Sequence, residues 1–272
     1  MESTRVEEVE CNPLNNDEGK PTGVYVLRFN RPDKLNALTE TMGNQFRSHV
    51  DQLKAKGDAR VLVLTGAGRA FSSGGDLDFL QERADSNAEA NSRTMRNFYE
   101  RFLCIRDLAI PTIAAIQGPA IGAGLCLALA CDIRIAAHDA KLGLTFVKLG
   151  LHPGMAATHL LPALIGHQNA SRLLLTGDVI SGEEAMAMGL VAQCADAADT
   201  LNAAVQMGTR IAAAGPVAVR TCVRSLRLEQ ERDLERALWR EADAQAQCYA
   251  TEDLREGIQS LRERRPPVFR GF

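Results

Sequence analysis

The first two thirds of the chain alternate between short apolar runs and longer segments whose apolar residues recur at helical spacing. Val24–Asn30 (VYVLRFN) is rich in β-branched, aromatic and aliphatic residues, is closed by Arg31-Pro32, and predicts a strand. Thr39 then stands as N-cap before a helix whose apolar face is Met42, Phe46, Val50 and Leu53. Arg60–Gly66 (RVLVLTG) is apolar at successive rather than alternate positions, the pattern of a central parallel strand covered on both faces. Glycine-rich AGRAFSSGGDL follows at once, then a polar, helix-compatible stretch from Asp78 to about Asp107. The order returns with a strand at Thr112–Gln117, a glycine turn, a short helix in GLCLALACD and a strand at Ile133–Ala137. Ser181-Gly182-Glu183-Glu184 has capping-box form and opens an amphipathic helix. From Ala197 to about Gln259 the character is helical throughout, and the chain ends in basic RERRPPVFRGF. Alternation followed by helices alone predicts an α/β core over residues 21–195 and a helical C-terminal subdomain over 196–272.

Composition narrows the field. The chain has 272 residues, 46% apolar and 24% charged, enough for one large core and unlike a disordered or fibrous protein. A net charge of −3 argues against a protein built to grip nucleic acid. Seven cysteines without a CxxC fit neither a disulfide framework nor a zinc ribbon, and point to a reducing compartment. Residues 1–20 are polar and mildly acidic, unlike a secretory signal or a transit peptide; they are expected to form a mobile N-terminal arm, and the location is expected to be cytoplasmic. Ala109–Cys131 carries no charge and is long enough to span a membrane, but Pro111, Gly118, Pro119, Gly122 and Gly124 break it. A buried strand, a turn and a buried helix account for it better.

Two glycine turns, Phe71–Leu77 (FSSGGDL) and Gly118–Gly124 (GPAIGAG), each follow a buried strand and precede a helix. Such turns leave backbone N–H groups unpaired near a helix N-terminus, where a developing anion is stabilised. Neither fits GxGxxG or GxxxxGK[ST], so dinucleotide and P-loop readings have no support.

Six segments stand in an order that resembles the crotonase (enoyl-CoA hydratase/isomerase) superfamily: RPDKLNAL, LTGAGRAFSSGGDL, AAIQGPAIGAGLCLALACDIRIAA, KLGLHPGMAATHLLPALIG, LLLTGDVISGEEAMAMGLV and TEDLREGIQSLRERRPPVFRG. The resemblance covers roughly residues 20–272. It implies a spiral of ββα units, C-terminal helices that build a homotrimer or homohexamer, and an acyl-CoA or enoyl-CoA thioester as substrate. Coenzyme A would be part of the substrate, with no covalently bound cofactor, no metal, no nucleic acid and no membrane partner. On the matching positions, the backbone N–H groups of Ser73 and Ala123 would hold the thioester oxygen, and CoA would lie along Lys34, Leu35, Ser73, Gly74, Gly75 and Asp76. Ala123 stands where the family usually has glycine; its methyl would be costly if φ had to be positive.

The larger departure concerns proton transfer. Hydratases of this family carry two glutamates where this chain has Cys126 and Phe146. His152, six residues after Phe146 on a loop that in related enzymes approaches the acyl chain, is the candidate acid/base. Its plainer reading is a loop histidine bonded to a carbonyl. His159 and Cys126 read as packed residues, Asp78 and Glu82 as a solvated helix face, Asp132 as a cap on neighbouring backbone, and Glu229–Arg240 as a solvated helix with one packed stripe. Basic Arg262–Pro267 reads as a solvated end, or as a contact to a CoA phosphate or RNA. Two functions compete: an acyl-CoA enzyme with replaced proton-transfer groups, and a catalytically silent CoA-binding subunit with an assembly or sensing role. An RNA-binding role and a serine hydrolase built on Ser72 or Ser73 with His152 have less behind them: the charge is negative and there is no GxSxG.

Overall fold

The computed structural model describes residues 7–16 and 18–272. Its main sheet takes strands in the order β1 (Val9–Asn15), β2 (Pro21–Phe29), β3 (Val61–Gly66), β4 (Thr112–Ile116), β6 (Ile133–Ala137) and β9 (Gln193–Ala195). A small second sheet joins β5 (Ala120–Ile121), β7 (Leu142–Gly143) and β8 (Val179–Ile180). The helices are α1 (Glu40–Ala55), α2 (Leu77–Ala84), α3 (Ala88–Leu103), α4 (Ala123–Ala130), α5 (Ala157–Thr176), α6 (Gly182–Ala187), α7 (Thr200–Ala212), α8 (Pro216–Glu231), α9 (Leu234–Tyr249) and α10 (Glu252–Glu263).

From β2 to β9 every neighbour in the main sheet is parallel, and β3 is buried at every position, as its unbroken apolar run predicts. One face packs on the large core of Leu27, Phe29, Phe46, Leu62 and Leu64; the other, Val24, Val26, Val61, Val63 and Ile113, is covered by α7 around Ala204. Thr39 accepts from the Met42 N–H at 3.1 Å and starts α1, and the capping box of Ser181 and Glu184 is complete. The uncharged run from Ala109 becomes β4, the glycine turn with β5, and α4; no helix among the described residues is long and apolar enough to cross a membrane.

Three local expectations need correction. The expected arm over residues 1–20 gives way at Val9–Asn15 to β1, antiparallel to β2; residues 1–6 and 17 lie outside the described residues. Strand β1 sits at the sheet edge with every residue but Val9 exposed or partly so, which erases the two-residue alternation, and Pro13 is tolerated there. The stretch from Asp78 breaks into α2 and α3, because the Asn87 side chain accepts from the Ala90 N–H and restarts the helix. Glu229–Arg240 is likewise two helices, parted at Asp233 in a left-handed conformation (φ 61°).

Asp132 caps backbone as expected, accepting from the Thr112 N–H at 2.7 Å. It also pairs with Arg227 of α8 through both carboxylate oxygens, at 2.7 and 2.6 Å. The buried Arg227 guanidinium donates further to the carbonyls of Arg106 and Leu108, so it ties the C-terminal helices to the segment entering β4.

Candidate functional site

A cavity of about 820 Å³ opens between the two glycine turns, helices α2 and α3, the loop before α5, and helices α9 and α10. Its geometry begins at the first turn. Leu38 donates to the Gly74 carbonyl (2.7 Å) and accepts from the Asp76 N–H (3.2 Å), as one rung of a parallel pairing with Gly75. In extended backbone successive N–H groups point to opposite sides, so the Gly75 N–H is turned away from Leu38. It has no partner among the described residues. Ser73, by contrast, donates its N–H to the Leu35 carbonyl at 2.9 Å. The expectation that Ser73 offers a free donor is therefore corrected by one pleat: the available N–H belongs to Gly75.

At the second turn the Ala123 N–H also has no partner among the described residues. Ala123 is the first residue of α4, and its N–H cannot find an intrahelical acceptor. The positive φ of this turn, 52°, falls on Gly122, so the Ala123 methyl carries no backbone strain. Gly124 lets α4 close directly on the first turn, since a Cβ there would lie 2.7 Å from the Ser72 side chain. A Cβ on Gly74 would lie 3.5 Å from the Ala123 nitrogen, which shows how near the two turns come.

Of the residues expected along CoA, Lys34, Ser73, Gly74, Gly75 and Asp76 line the cavity, whereas Leu35 does not. Leu35 and Asn36 both take left-handed φ (51° and 54°), and the buried Asn36 amide holds the carbonyls of Ala67 and Ala70 at 2.9 and 2.8 Å. Asn36 thus pins the first glycine turn, a role signalled in the sequence only by asparagine's tolerance of that conformation. Asp76 is the N-cap of α2, accepting from the Asp78 N–H at 3.0 Å.

Phe146 lines the cavity and its ring tip faces Gly122. Cys126 is fully buried and does not line it; its thiol contacts the Gly154 carbonyl at 3.3 Å, and burial pushes its pKa well above the ordinary thiol value. His152 also stays outside the lining. Its Nδ1 lies 2.6 Å from the Pro153 carbonyl oxygen, and burial lowers its pKa. The acid/base expectation for His152 is corrected to the plainer one, a loop histidine held by a carbonyl. His159 packs with Nε2 2.7 Å from the Gln230 carbonyl oxygen. Asp78 borders the cavity with its carboxylate almost wholly exposed, 3.6 Å from Arg262. Arg262 and Arg265 of the basic tail do reach the lining, Arg265 while paired with Glu256 and Glu263.

The loop from His152 to Thr158 carries two non-glycine residues at positive φ, Met155 (56°) and Ala156 (63°). Helix α9 holds it there. Glu241, fully buried, accepts from the N–H groups of Ala156 (2.7 Å) and Thr158 (2.8 Å), capping α5 from outside; burial pushes its pKa up to about 7. One turn on, Gln245 donates to the His152 carbonyl at 2.8 Å and accepts from the Tyr99 hydroxyl at 2.7 Å. Sequence reasoning missed Tyr99, Glu241 and Gln245, which lie in stretches that read as polar helix.

A family profile described as enoyl-CoA hydratase/isomerase matches residues 19–271. A crotonyl-CoA hydratase of Syntrophomonas wolfei is 35% identical over 251 residues, covering 92% of this chain and 95% of that one. A mitochondrial methylglutaconyl-CoA hydratase of Mus musculus is 35% identical over 259 residues, 93% of this chain and 82% of that one. Among solved structures, an enoyl-CoA hydratase of Mycobacterium avium subsp. paratuberculosis superposes with a TM-score of 0.83 at 27% identity, over 97% of this chain and 99% of that one.

Proposed function

Because the chain belongs to the enoyl-CoA hydratase/isomerase family, we propose that it binds an acyl-CoA thioester with the carbonyl oxygen between the N–H groups of Gly75 and Ala123, and stabilises the enolate there. The observation that carries this is the pair of unpaired backbone donors at the mouth of two adjoining turns, beside an apolar cavity. Donors already fixed by the fold need no reorganisation as charge develops on the oxygen. Lys34, Lys148 and Arg262 supply positive charge around the same cavity for CoA phosphates.

Both positions of the family's glutamates are occupied by groups unsuited to proton transfer, a buried thiol and a phenyl ring. Water addition by paired carboxylates is therefore not the reaction we assign; thioester enolate chemistry on another acyl group is. The competing reading, a silent CoA-binding subunit, draws support from the acidic residues that line the cavity, Asp76 and Asp78, being a helix cap and an exposed rim group. Incubation with a panel of acyl- and enoyl-CoA thioesters, read by mass spectrometry, separates the two: a new product supports the enzyme, unchanged thioesters the silent subunit.

Ala123→Pro tests the oxyanion site. Proline is well tolerated at the first position of a helix, so the substitution deletes the N–H with little cost in stability. The expected result is turnover lower by ~10²–10³ with a nearly unchanged melting temperature. Gly75→Ala, which keeps its N–H and places a Cβ 3.9 Å from Leu80, should retain activity. Undiminished turnover in Ala123→Pro rejects the assignment.

We also assign a homotrimer or homohexamer. Val217, Leu226, Leu228 and Trp239 on α8 and α9 are all at least half exposed, an apolar surface that subunit contacts would cover. Sedimentation at micromolar concentration should show three or six copies; a monomer overturns this.

A further inference from the structure

We propose that Tyr99 and Gln245 form a recognition point for a neutral oxygen carried on the acyl chain, so that the preferred thioester bears a hydroxyl or keto group beyond its α-carbon. The inference rests on the acyl-CoA reading of the cavity. Around this point the wall is apolar, with Met95, Phe98, Phe146, Leu149 and Met155. Into it α3 brings Tyr99 and α9 brings Gln245 and Tyr249; the Tyr249 hydroxyl is turned to the Met95 sulfur at 3.5 Å, while Tyr99 and Gln245 are only 1% exposed. The two meet over Gly154, where there is no room even for a Cβ between the Tyr99 hydroxyl and the Gln245 amide.

Their hydrogen-bonding capacity is only partly used. The Tyr99 hydroxyl gives its one proton to Gln245 Oε1 and keeps acceptor capacity. Gln245 donates one amide hydrogen to the His152 carbonyl and has a second. A ligand hydroxyl can accept from the amide and donate to the phenol oxygen. Burial pushes the Tyr99 pKa well above its ordinary value, and the nearby Glu241 adds to this, so the phenol stays neutral and serves to bind.

Position places this point beside the acyl chain. Gly154, which the pair overhangs, receives the Cys126 thiol through its carbonyl. Cys126 lies three residues beyond Ala123, about 4.5 Å further along α4 at the usual rise per residue. The oxygen being read therefore lies past the thioester carbonyl rather than on it.

Charge selects among oxygens. Glu241 stands one helical turn from Gln245 and is fully buried. The cationic residues of the lining, Lys34, Lys148, Arg262 and Arg265, belong to neither α3 nor α9. None of the residues that α3 and α9 contribute to the lining is cationic, so a carboxylate on the acyl chain would meet a buried acid with no lining cation beside it. Sites that hydrogen-bond a substrate oxygen discriminate against analogues lacking it, because their own polar groups are then left unpaired.

Calorimetric titration with butyryl-CoA, 3-hydroxybutyryl-CoA, 4-hydroxybutyryl-CoA and succinyl-CoA tests this. The expected result is that one of the hydroxylated thioesters binds about tenfold more tightly than butyryl-CoA, a single charge-neutral hydrogen-bonded contact being of that order, and succinyl-CoA more weakly than either. Tyr99→Phe keeps the ring and removes only the oxygen; it should abolish the preference while leaving butyryl-CoA affinity within about twofold. A purely structural role would weaken all ligands together and leave their ratios unchanged. Gln245→Leu is expected to act in the same direction, and Tyr99→Phe alone decides if that variant fails to fold. Equal affinity for hydroxylated and saturated thioesters in the wild type, or a preference that survives Tyr99→Phe, overturns the inference. Failure of all four CoA esters to bind instead overturns the acyl-CoA reading, and this inference with it.

Discussion

Crotonyl-CoA offered to the purified protein should be hydrated at least ~10⁴-fold more slowly than by a family member that carries both carboxylates, since each missing proton-transfer group costs ~10²–10⁴. Hydration needs a base to take a proton from water and an acid to deliver one to the α-carbon. Cys126 offers a thiol wholly buried against the Gly154 carbonyl, with its pKa pushed up by burial, so thiolate is scarce at neutral pH. Phe146 has no exchangeable proton. His152 lies outside the cavity, so His152→Ala should leave any residual rate unchanged, as should Cys126→Ala. The decay of enoyl-thioester absorbance measures all three proteins. A wild-type rate within tenfold of a two-glutamate hydratase would show that another group performs the proton transfer.

Arg227→Ala should lower the unfolding free energy by about 3–5 kcal/mol, the usual cost of removing one member of a buried ion pair. Arg227 is 3% exposed and holds Asp132 through two short contacts together with the carbonyls of Arg106 and Leu108. Truncation leaves those carbonyls without a donor in a site that no alanine can fill. Asp132 would retain Thr112, which softens the loss on its side. Arg227→Lys keeps the charge but cannot reproduce the fork, and should recover only part of the stability. Urea denaturation of the three proteins checks this; a change below about 1 kcal/mol for the alanine variant would place the network outside the cooperative core.

The parts of the molecule legible in its sequence are those whose physics is local. Unbroken apolar runs marked β3 and β4 because both faces of a parallel strand are covered, and Thr39 and Ser181 marked helix starts because a cap acts within three residues. The two glycine turns were legible, and so was the unpaired donor at Ala123 that opens α4. The first donor was not, because the choice between Ser73 and Gly75 depends on which N–H groups a segment some thirty-five residues earlier already occupies. Strand β1 escaped because an edge strand leaves its pattern half written. Tyr99, Glu241 and Gln245 escaped for a different reason. Each is polar in a helical stretch, and only the return of α9 onto α3 and α5 turns a solvated reading into a buried one.

The strap from α9 to the loop before α5 also bears on how the protein is made. Residues lining the cavity run from Lys34 to Pro267, and the loop carrying Met155 and Ala156 in left-handed conformation is held by Glu241 and Gln245, more than eighty positions downstream. During synthesis the main sheet can form as soon as its strands emerge, but the loop before α5 gains the bonds of Glu241 and Gln245 only after α9 has left the ribosome. At the usual elongation rates of ~5–20 residues per second, that leaves several seconds in which the half-built cavity exposes Phe98, Phe146 and Met155 to solvent. Aggregation during expression should therefore track the interval between the emergence of α5 and that of α9, and a chain truncated before Leu234 should be captured by chaperones even though its sheet is complete.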